Sequence, residues 1–412
     1  MKNKILIFLS AIVLTSNVNA ADLIVDVTGV GGAYSTLTDA IAASSAGDRL
    51  MIYPNITAFS ENITIPHSLQ LLSAVEGERW TMSGAITVSS TIGAGAEVNI
   101  VSAHMLSGGI AGSGNVTGSH AFVRVLNCKL EGGNIGFNLV NYHLTIAEDS
   151  LMNGYVSLRK GRVTGNYITS GAQNASCIYV YTASDIESEY LYIVGNHLVG
   201  TTYTYFNQNP SPINWNCSSN IAYIANNFIE MTTTYQNGIY FTNSISNGTA
   251  LNYIINNTVY APNTTNTYAI YVLTLNSNTE VQNNLITGNQ SYGIASSVVN
   301  NLNLACSYNY AMGSLAAMVN VLDDGTNVLN VAQTIDTATG EITAGGGIDG
   351  GNPDAIYTDL DLTRNNVGCF GGSYSRENFL APSTGSRTTF MVAPRRVLVG
   401  STIDVQGEGF DY

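Results

Sequence analysis

Charge is what this 412-residue chain most conspicuously lacks. Only 10% of its residues are Asp, Glu, Lys or Arg, against roughly a quarter in an ordinary soluble domain. The 14 basic residues are outnumbered by 28 acidic ones, for a net charge of −14. Nothing in that balance can release counterions from a phosphate backbone, so a nucleic-acid binder is excluded. Between Arg162 and Arg364 there is not one Lys or Arg, a stretch of 201 residues. Apolar runs of about 20 residues are absent as well, which excludes a multi-span helical membrane protein. Cysteine is sparse and scattered. Cys128, Cys177, Cys217, Cys306 and Cys369 lie 40 to 89 residues apart, with no CxxC and no histidine at ligand spacing, so neither a zinc site nor a redox motif is expected. An odd count leaves at least one thiol unpaired, and small buried hydrophobes are the expected role for all five.

In place of charge stand uncharged polar and apolar residues. The chain has 46 Asn and 24 Tyr, and 45% of its residues are hydrophobic, enough apolar content to build a core and to argue against disorder. At the N-terminus, Lys2 and Lys4, the apolar run from Ile5 to Leu14, and the small-residue step Val18-Asn19-Ala20 have the three-part form of a cleaved secretory signal over residues 1–20. The run is about half as long as a bilayer span. A secreted or cell-surface protein is the expectation.

A repeat organises the middle of the chain. Ile178, Ile213, Ile239, Ile270 and Ile294 head short alternating runs such as Gly238-Ile239-Tyr240-Phe241 and are 35, 26, 31 and 24 residues apart. A second set of runs ends in Asn followed by an apolar pair: Asn166, Asn196, Asn227, Asn257 and Asn284 are spaced by 30, 31, 30 and 27 residues, and Asn309 follows. Four- to six-residue alternating runs rich in Ile, Val, Tyr and Phe are strands with one buried face. Asn and Gly are the residues that tolerate a left-handed backbone at a corner. Two or three strands per repeat describe one rung of a coil, and stacking rungs ~4.8 Å apart places equivalent residues above one another. The five Asn would then form a hydrogen-bonded ladder. Leucine-rich repeats and propellers lack this pattern, and an antiparallel sandwich would not need Asn after the same element each time. The fold class expected is an all-β, right-handed parallel β-helix solenoid.

Two further segments resemble the secreted parallel β-helix proteins of the pectin-lyase-like superfamily. Gly31-Gly32-Ala33-Tyr34-Ser35-Thr36-Leu37-Thr38-Asp39-Ala40-Ile41, followed by Gly47-Asp48-Arg49-Leu50-Met51-Ile52, resembles the family's capping helix and first strand. The local sequence agrees: Ser35 or Thr36 caps the helix, Leu37, Ala40 and Ile41 form its inner face, and Gly47 stops it. Asp359-Leu360-Asp361-Leu362-Thr363-Arg364-Asn365-Asn366-Val367-Gly368-Cys369-Phe370-Gly371-Gly372 resembles the family's closing segment, with Asn366 where Asp is usual. The resemblance implies a cap and first rung over 21–60 and a solenoid over 61–375. Residues 376–412, with Val397-Leu398-Val399 and Gly407-Glu408-Gly409-Phe410, resemble the first strands of an immunoglobulin-like module. They are too few for a whole sandwich, and are expected either to fold back on the solenoid or to pair with another chain in self-association.

For function the resemblance implies lyases, hydrolases, esterases or proteins without activity. The lyase and polygalacturonase motifs are not in the sequence, and the basic desert removes cations that would hold a uronate. Charged residues crowd only into 120–162, where Lys129, Asp149 and Arg159 are the candidate catalytic groups. Lys129 with Asp149, or His120 with His143, could stack on one face. Tyr179, Tyr240 and Tyr271 are candidate sugar-stacking residues. The acidic run Asp349, Asp354, Asp359 and Asp361 holds the candidate Ca²⁺ ligands, Asp354, Asp359 and Asp361 foremost, with terminal capping the first reading and no cofactor expected. The sequence therefore favours an exported, non-catalytic structural or adhesive solenoid contacting neutral glycans. A polysaccharide lyase or hydrolase, or a pure carbohydrate-binding solenoid, stand as alternatives.

Overall fold

The computed structural model describes residues 20–412 apart from 119, 139–140, 172–175, 183–189, 202–210, 233–236, 243–250, 263–266, 274–276, 381–386, 393–404 and 411–412. The expected leader, residues 1–20, save its last residue, and the run Val397–Val399 lie outside the described residues. Each turn of the chain contributes one strand to each of three parallel sheets. Sheet A has 12 strands, beginning with Asp22–Val25 and ending with Leu304–Ser307; sheet B also has 12 and sheet C has 11. Within a rung the order is C, A, B, as in Ile63–Ile65, Leu69–Ser73 and Trp80–Ser83. The result is the right-handed parallel β-helix that the repeat predicts. No helix among the described residues is long and apolar enough to cross a membrane.

Period-two burial within each strand builds the core. In sheet C, Ile178, Ile213, Ile239, Ile270 and Ile294 are register partners and all fully buried, so the spacing irregularity of the sequence lies between strands and not within them. The five cysteines are buried and unpaired. The first rung is closed by helix α1 (Leu37–Ala43): the Thr36 side chain accepts from Asp39 N, and Leu37, Ala40 and Ile41 are its buried face. Its C-cap is Ser44, not Gly47.

The corner between sheets A and B carries the ladder. Asn227 is fully buried. Its backbone N and its Nδ2 both donate to Oδ1 of Asn257, at 3.1 and 2.9 Å, and Nδ2 also donates to Ile193 O at 2.8 Å. The same pattern links Asn166, Asn196, Asn257 and Asn284 and continues to Asn309 and Asn327. Each ladder amide from Asn166 to Asn309 is satisfied by the rungs on either side, the condition under which burying so polar a side chain is tolerable.

The residue before each ladder position from Asn166 to Asn309 is left-handed, and over the middle rungs it faces a covering segment. Asn226, Asn256 and Asn283 have φ of 53 to 56° and direct their side chains outward to a returning C-terminal segment. Asn226 Nδ2 donates to Cys369 O and Gly371 O at 3.1 and 2.6 Å, and Asn256 Nδ2 to Asn365 Oδ1 at 2.9 Å. In the two preceding rungs the position is Gly165 and Gly195, where a Cβ would overlap the ring of Phe379. The segment 359–372 is thus a clasp along the corner, and it leads the chain back over the middle rungs. There Arg387–Val392 and Gln406–Phe410 form an antiparallel hairpin whose Phe390 is buried against Tyr192 and Tyr374 of the same chain.

Two substitutions test this corner. Asn227→Ala removes acceptors and donors from three rungs and is expected to cost about 3 kcal/mol or more, since each buried polar group left unpaired costs about 1–3. Asn216→Ala, on an exposed position of sheet C, should stay within about 0.5 kcal/mol; denaturant midpoints measure both. Gly195→Ala should destabilise through left-handed strain and through collision with Phe379. In a double-mutant cycle, the Phe379→Ala background should reduce that cost to the strain alone, about 1–2 kcal/mol.

Candidate functional site

The candidate catalytic residues Lys129, Asp149 and Arg159 do not form one site, because a coil of three faces sends neighbours in sequence in different directions. Lys129 points outward from sheet B, where its Nζ lies 2.6 Å from Glu131 Oε1, which also meets His104 Nε2 at 2.9 Å. Its register partner is Ser150, not Asp149. Arg159 sits at the corner between sheets C and A and donates from Nε to Asn138 O at 2.5 Å. Asp149 is buried, and it is a member of the ladder: Oδ1 accepts from Cys128 N at 2.5 Å, and its own N donates to Asn166 Oδ1 at 2.9 Å. The expected stack of Lys129 on Asp149 is therefore wrong by one residue of register, and that one residue separates an open face from a closed corner.

Burial pushes the Asp149 carboxyl well above its usual range, against the Cys128 N–H, which pulls it down. A protonated Asp149 would offer one acceptor and one donor at a corner where the Asn of the other rungs offers one acceptor and two donors. Its Oδ2 is buried with no hydrogen-bond partner among the described residues. At the equivalent point Asn166 Nδ2 donates to Ile146 O at 3.1 Å.

His120 and His143 are likewise out of step, His143 pairing with Phe122. Both line a cavity of about 220 Å³ with Lys160 and Tyr190, and Lys160 Nζ lies 2.6 Å from His120 Nε2. Burial, with Arg162 beside it, lowers the His143 imidazole to about 4, so it is neutral near pH 7.

The acidic residues near the C-terminus act as local caps. Asp354 accepts from Ile356 N at 3.1 Å; Asp361 accepts from Thr363 N and Oγ1 at 2.9 and 2.7 Å. Asp359 accepts from Gly372 N and Asn366 N at 2.6 and 3.0 Å, closing the clasp. Among the described residues no three His, Cys, Asp or Glu side chains converge as metal ligands would.

The tyrosines separate into two columns with different surroundings. On sheet C the outward residues Tyr179, Asn214, Tyr240 and Tyr271 are successive register partners, spanning about 14 Å at the ~4.8 Å rung pitch. The Tyr240 and Tyr271 rings stack with centroids 5.8 Å apart and planes 14° apart, and Tyr268 stacks on Tyr292 at 4.7 Å and 17°. Tyr181 lies 4.1 Å from Tyr179, and Asn216 Nδ2 donates to the Tyr179 hydroxyl at 3.2 Å. The rings are half-buried, with one face supported by a neighbour. The column ends at Ser157 on one side and Ala295 on the other. On sheet A, by contrast, Tyr192, Tyr223 and Tyr253 join a cluster with Phe390 and Tyr374, and that cover gives them a packing role. Tyr203, Tyr205 and Tyr235 lie outside the described residues. The alternation within each sheet C strand made the tyrosines legible in sequence. Asn214 and Asn216 were not singled out there, since a lone Asn among 46 carries no signal until register places it between rings.

Among the described residues, the sheet C column itself is made of aromatic rings and amides, without a charged side chain in it. It can offer flat apolar faces and neutral donors and acceptors, the complement of an uncharged sugar ring.

Asp149→Asn tests the corner assignment. A carboxyl whose folded-state pKa lies above its unfolded value makes the native state the better proton binder. Its stability contribution is thus complete below about pH 4 and is lost as pH rises. The variant should be more stable than the parent at pH 7 and equal to it near pH 3, as read from thermal midpoints across pH. A parent that is more stable than the variant at pH 7 would return Asp149 to a charged role. No protein-family model matches the chain, and no curated protein matches it.

Proposed function

We propose that this chain is an exported β-helix of the pectin-lyase-like kind that acts without catalysis, as a surface structural or adhesive element, and that it holds uncharged glycan on the outer face of sheet C. The observation that carries the reading is the unbroken column Tyr179–Asn214–Tyr240–Tyr271 with its stacked rings. A linear glycan lying along the solenoid axis would meet the half-buried rings of Tyr179, Tyr240 and Tyr271, and among the described residues of the column none is able to polarise a glycosidic bond. The separation of Lys129, Asp149 and Arg159 onto different faces weakens the lyase or hydrolase reading, because general acid–base work needs its groups within hydrogen-bond reach of one bond. The leader-like residues 1–20 support export. The binding mode needs no cofactor.

Incubating the mature chain with neutral and uronate polysaccharides, with and without Ca²⁺, tests the proposal. Binding of a neutral glycan is expected, with no rise in reducing ends or unsaturated product. Tyr240→Ala combined with Tyr271→Ala should weaken binding about tenfold or more, taking ~0.5–1.5 kcal/mol for each lost ring, with little change in the unfolding midpoint. Turnover that disappears in Lys129→Ala or Arg159→Ala would replace this reading with an enzymatic one.

A further inference from the structure

A second recess lies on the far side of the coil, under the C-terminal hairpin. Its floor is the outer face of sheet A in the early rungs, where Gln70, Asn99, Arg124 and Thr145 are successive register partners. Beside that polar column runs an apolar strip of Leu72, Val101 and Leu126. The roof is the hairpin, through Thr389 and the stretch Gly407–Gly409, and together they enclose about 490 Å³.

The roof is fastened at one end. Glu408 Oε1 lies 3.2 Å from Arg162 Nη2, and its Oε2 accepts from Thr145 Oγ1 at 2.9 Å. Next to it the Arg162 guanidinium lies over the Phe390 ring, 4.9 Å from its centroid. A two-stranded hairpin is marginal by itself, so this latch and the burial of Phe390 are what hold it down.

We propose that this recess is a second binding site, for a short stretch of an uncharged oligosaccharide held between the sheet A floor and the hairpin roof. Charge selects the ligand class. Arg124 is offset by Glu97 at 3.0 Å, and Arg49, at the outer end of the column, by two bonds to Asp22 at 2.6 and 2.8 Å. The Glu408 carboxylate faces the same space. A polyanion would find both guanidinium groups already neutralised and a like charge in the roof. An extended peptide would seek a free strand edge, and along these rungs each sheet A strand is hydrogen-bonded on both sides. What the recess does offer is amide, guanidinium and hydroxyl groups at rung spacing beside a flat apolar strip, with Gly407 and Gly409 letting the roof backbone approach closely. That is the surface of a sugar ring in complement: polar edges and an apolar face.

The ligand class agrees with the reading of sheet C, so the experiment separates the two sites. The full mature chain carrying Tyr240→Ala and Tyr271→Ala is titrated calorimetrically with neutral hexasaccharides of glucose, xylose and mannose. At least one is expected to bind, and adding Gln70→Trp, which fills the floor, should weaken that binding tenfold or more. Asn99→Ala, which adds no bulk, should weaken it several-fold, and ligand should slow amide exchange in Arg387–Val392. The proposal is overturned if the double tyrosine variant binds none of them, or if neither floor substitution changes the affinity that remains. Binding that vanishes with the tyrosines while Gln70→Trp is silent in the parent leaves sheet C standing and removes this recess. The converse pattern keeps the recess and removes sheet C.

Discussion

One side chain per rung makes this fold self-consistent. An asparagine at the A–B corner offers a carbonyl that accepts twice and an amide that donates twice, and the next rung presents the matching set. A buried amide is costly in isolation and stabilising in a series, because each copy satisfies the one beside it. The series also fixes register. A rung displaced by one residue would lose its ladder bonds and turn its isoleucines outward at the same time. Core burial and corner hydrogen bonding thus select the same alignment, and agreement of this kind between local and global preferences is what gives a sequence a single structure.

With register fixed, the solenoid acts as a ruler. Outward side chains fall into columns, and each column has the chemistry of its sequence position repeated at ~4.8 Å. The sheet C column is aromatic and amide-bearing. The early sheet A column is hydrogen-bonding, and the later one is aromatic and covered by the chain's own tail. The chain has few charges, and where they occur they pair locally, as in Lys129 with Glu131 and Arg124 with Glu97. Exposed pairs of this kind contribute little to stability.

The architecture could be read in the sequence because its determinants are local and repeated: an apolar residue at every second position, and an amide after every third strand. The ladder asparagines stood out for the same reason. Asp149 did not, since a carboxyl in sequence reads as a charge, and only burial at a ladder corner makes it an amide substitute. The separation of Lys129, Asp149 and Arg159 was also hidden, because rung length must be known to the residue before neighbours can be assigned to faces. The roles of Phe379, Phe390 and Glu408 depend on contacts spanning more than 180 residues, and no periodicity announces a contact made once. The tail that resembles the start of an immunoglobulin-like module instead forms, in its described part, a hairpin on its own solenoid.

The returning clasp also determines how the molecule would carry a load. A pull on the C-terminal hairpin does not reach the last rung directly. It first breaks the Glu408 latch and lifts Phe390, and then strips residues 359–372 from the corner, breaking the bonds to Asn226, Asn256 and Asn283 in the manner of peeled tape. The parallel sheets beneath, whose strands would have to separate several bonds at a time, are shielded while that happens. Tension on this chain is therefore absorbed by a short, re-formable fastening before the wound body yields.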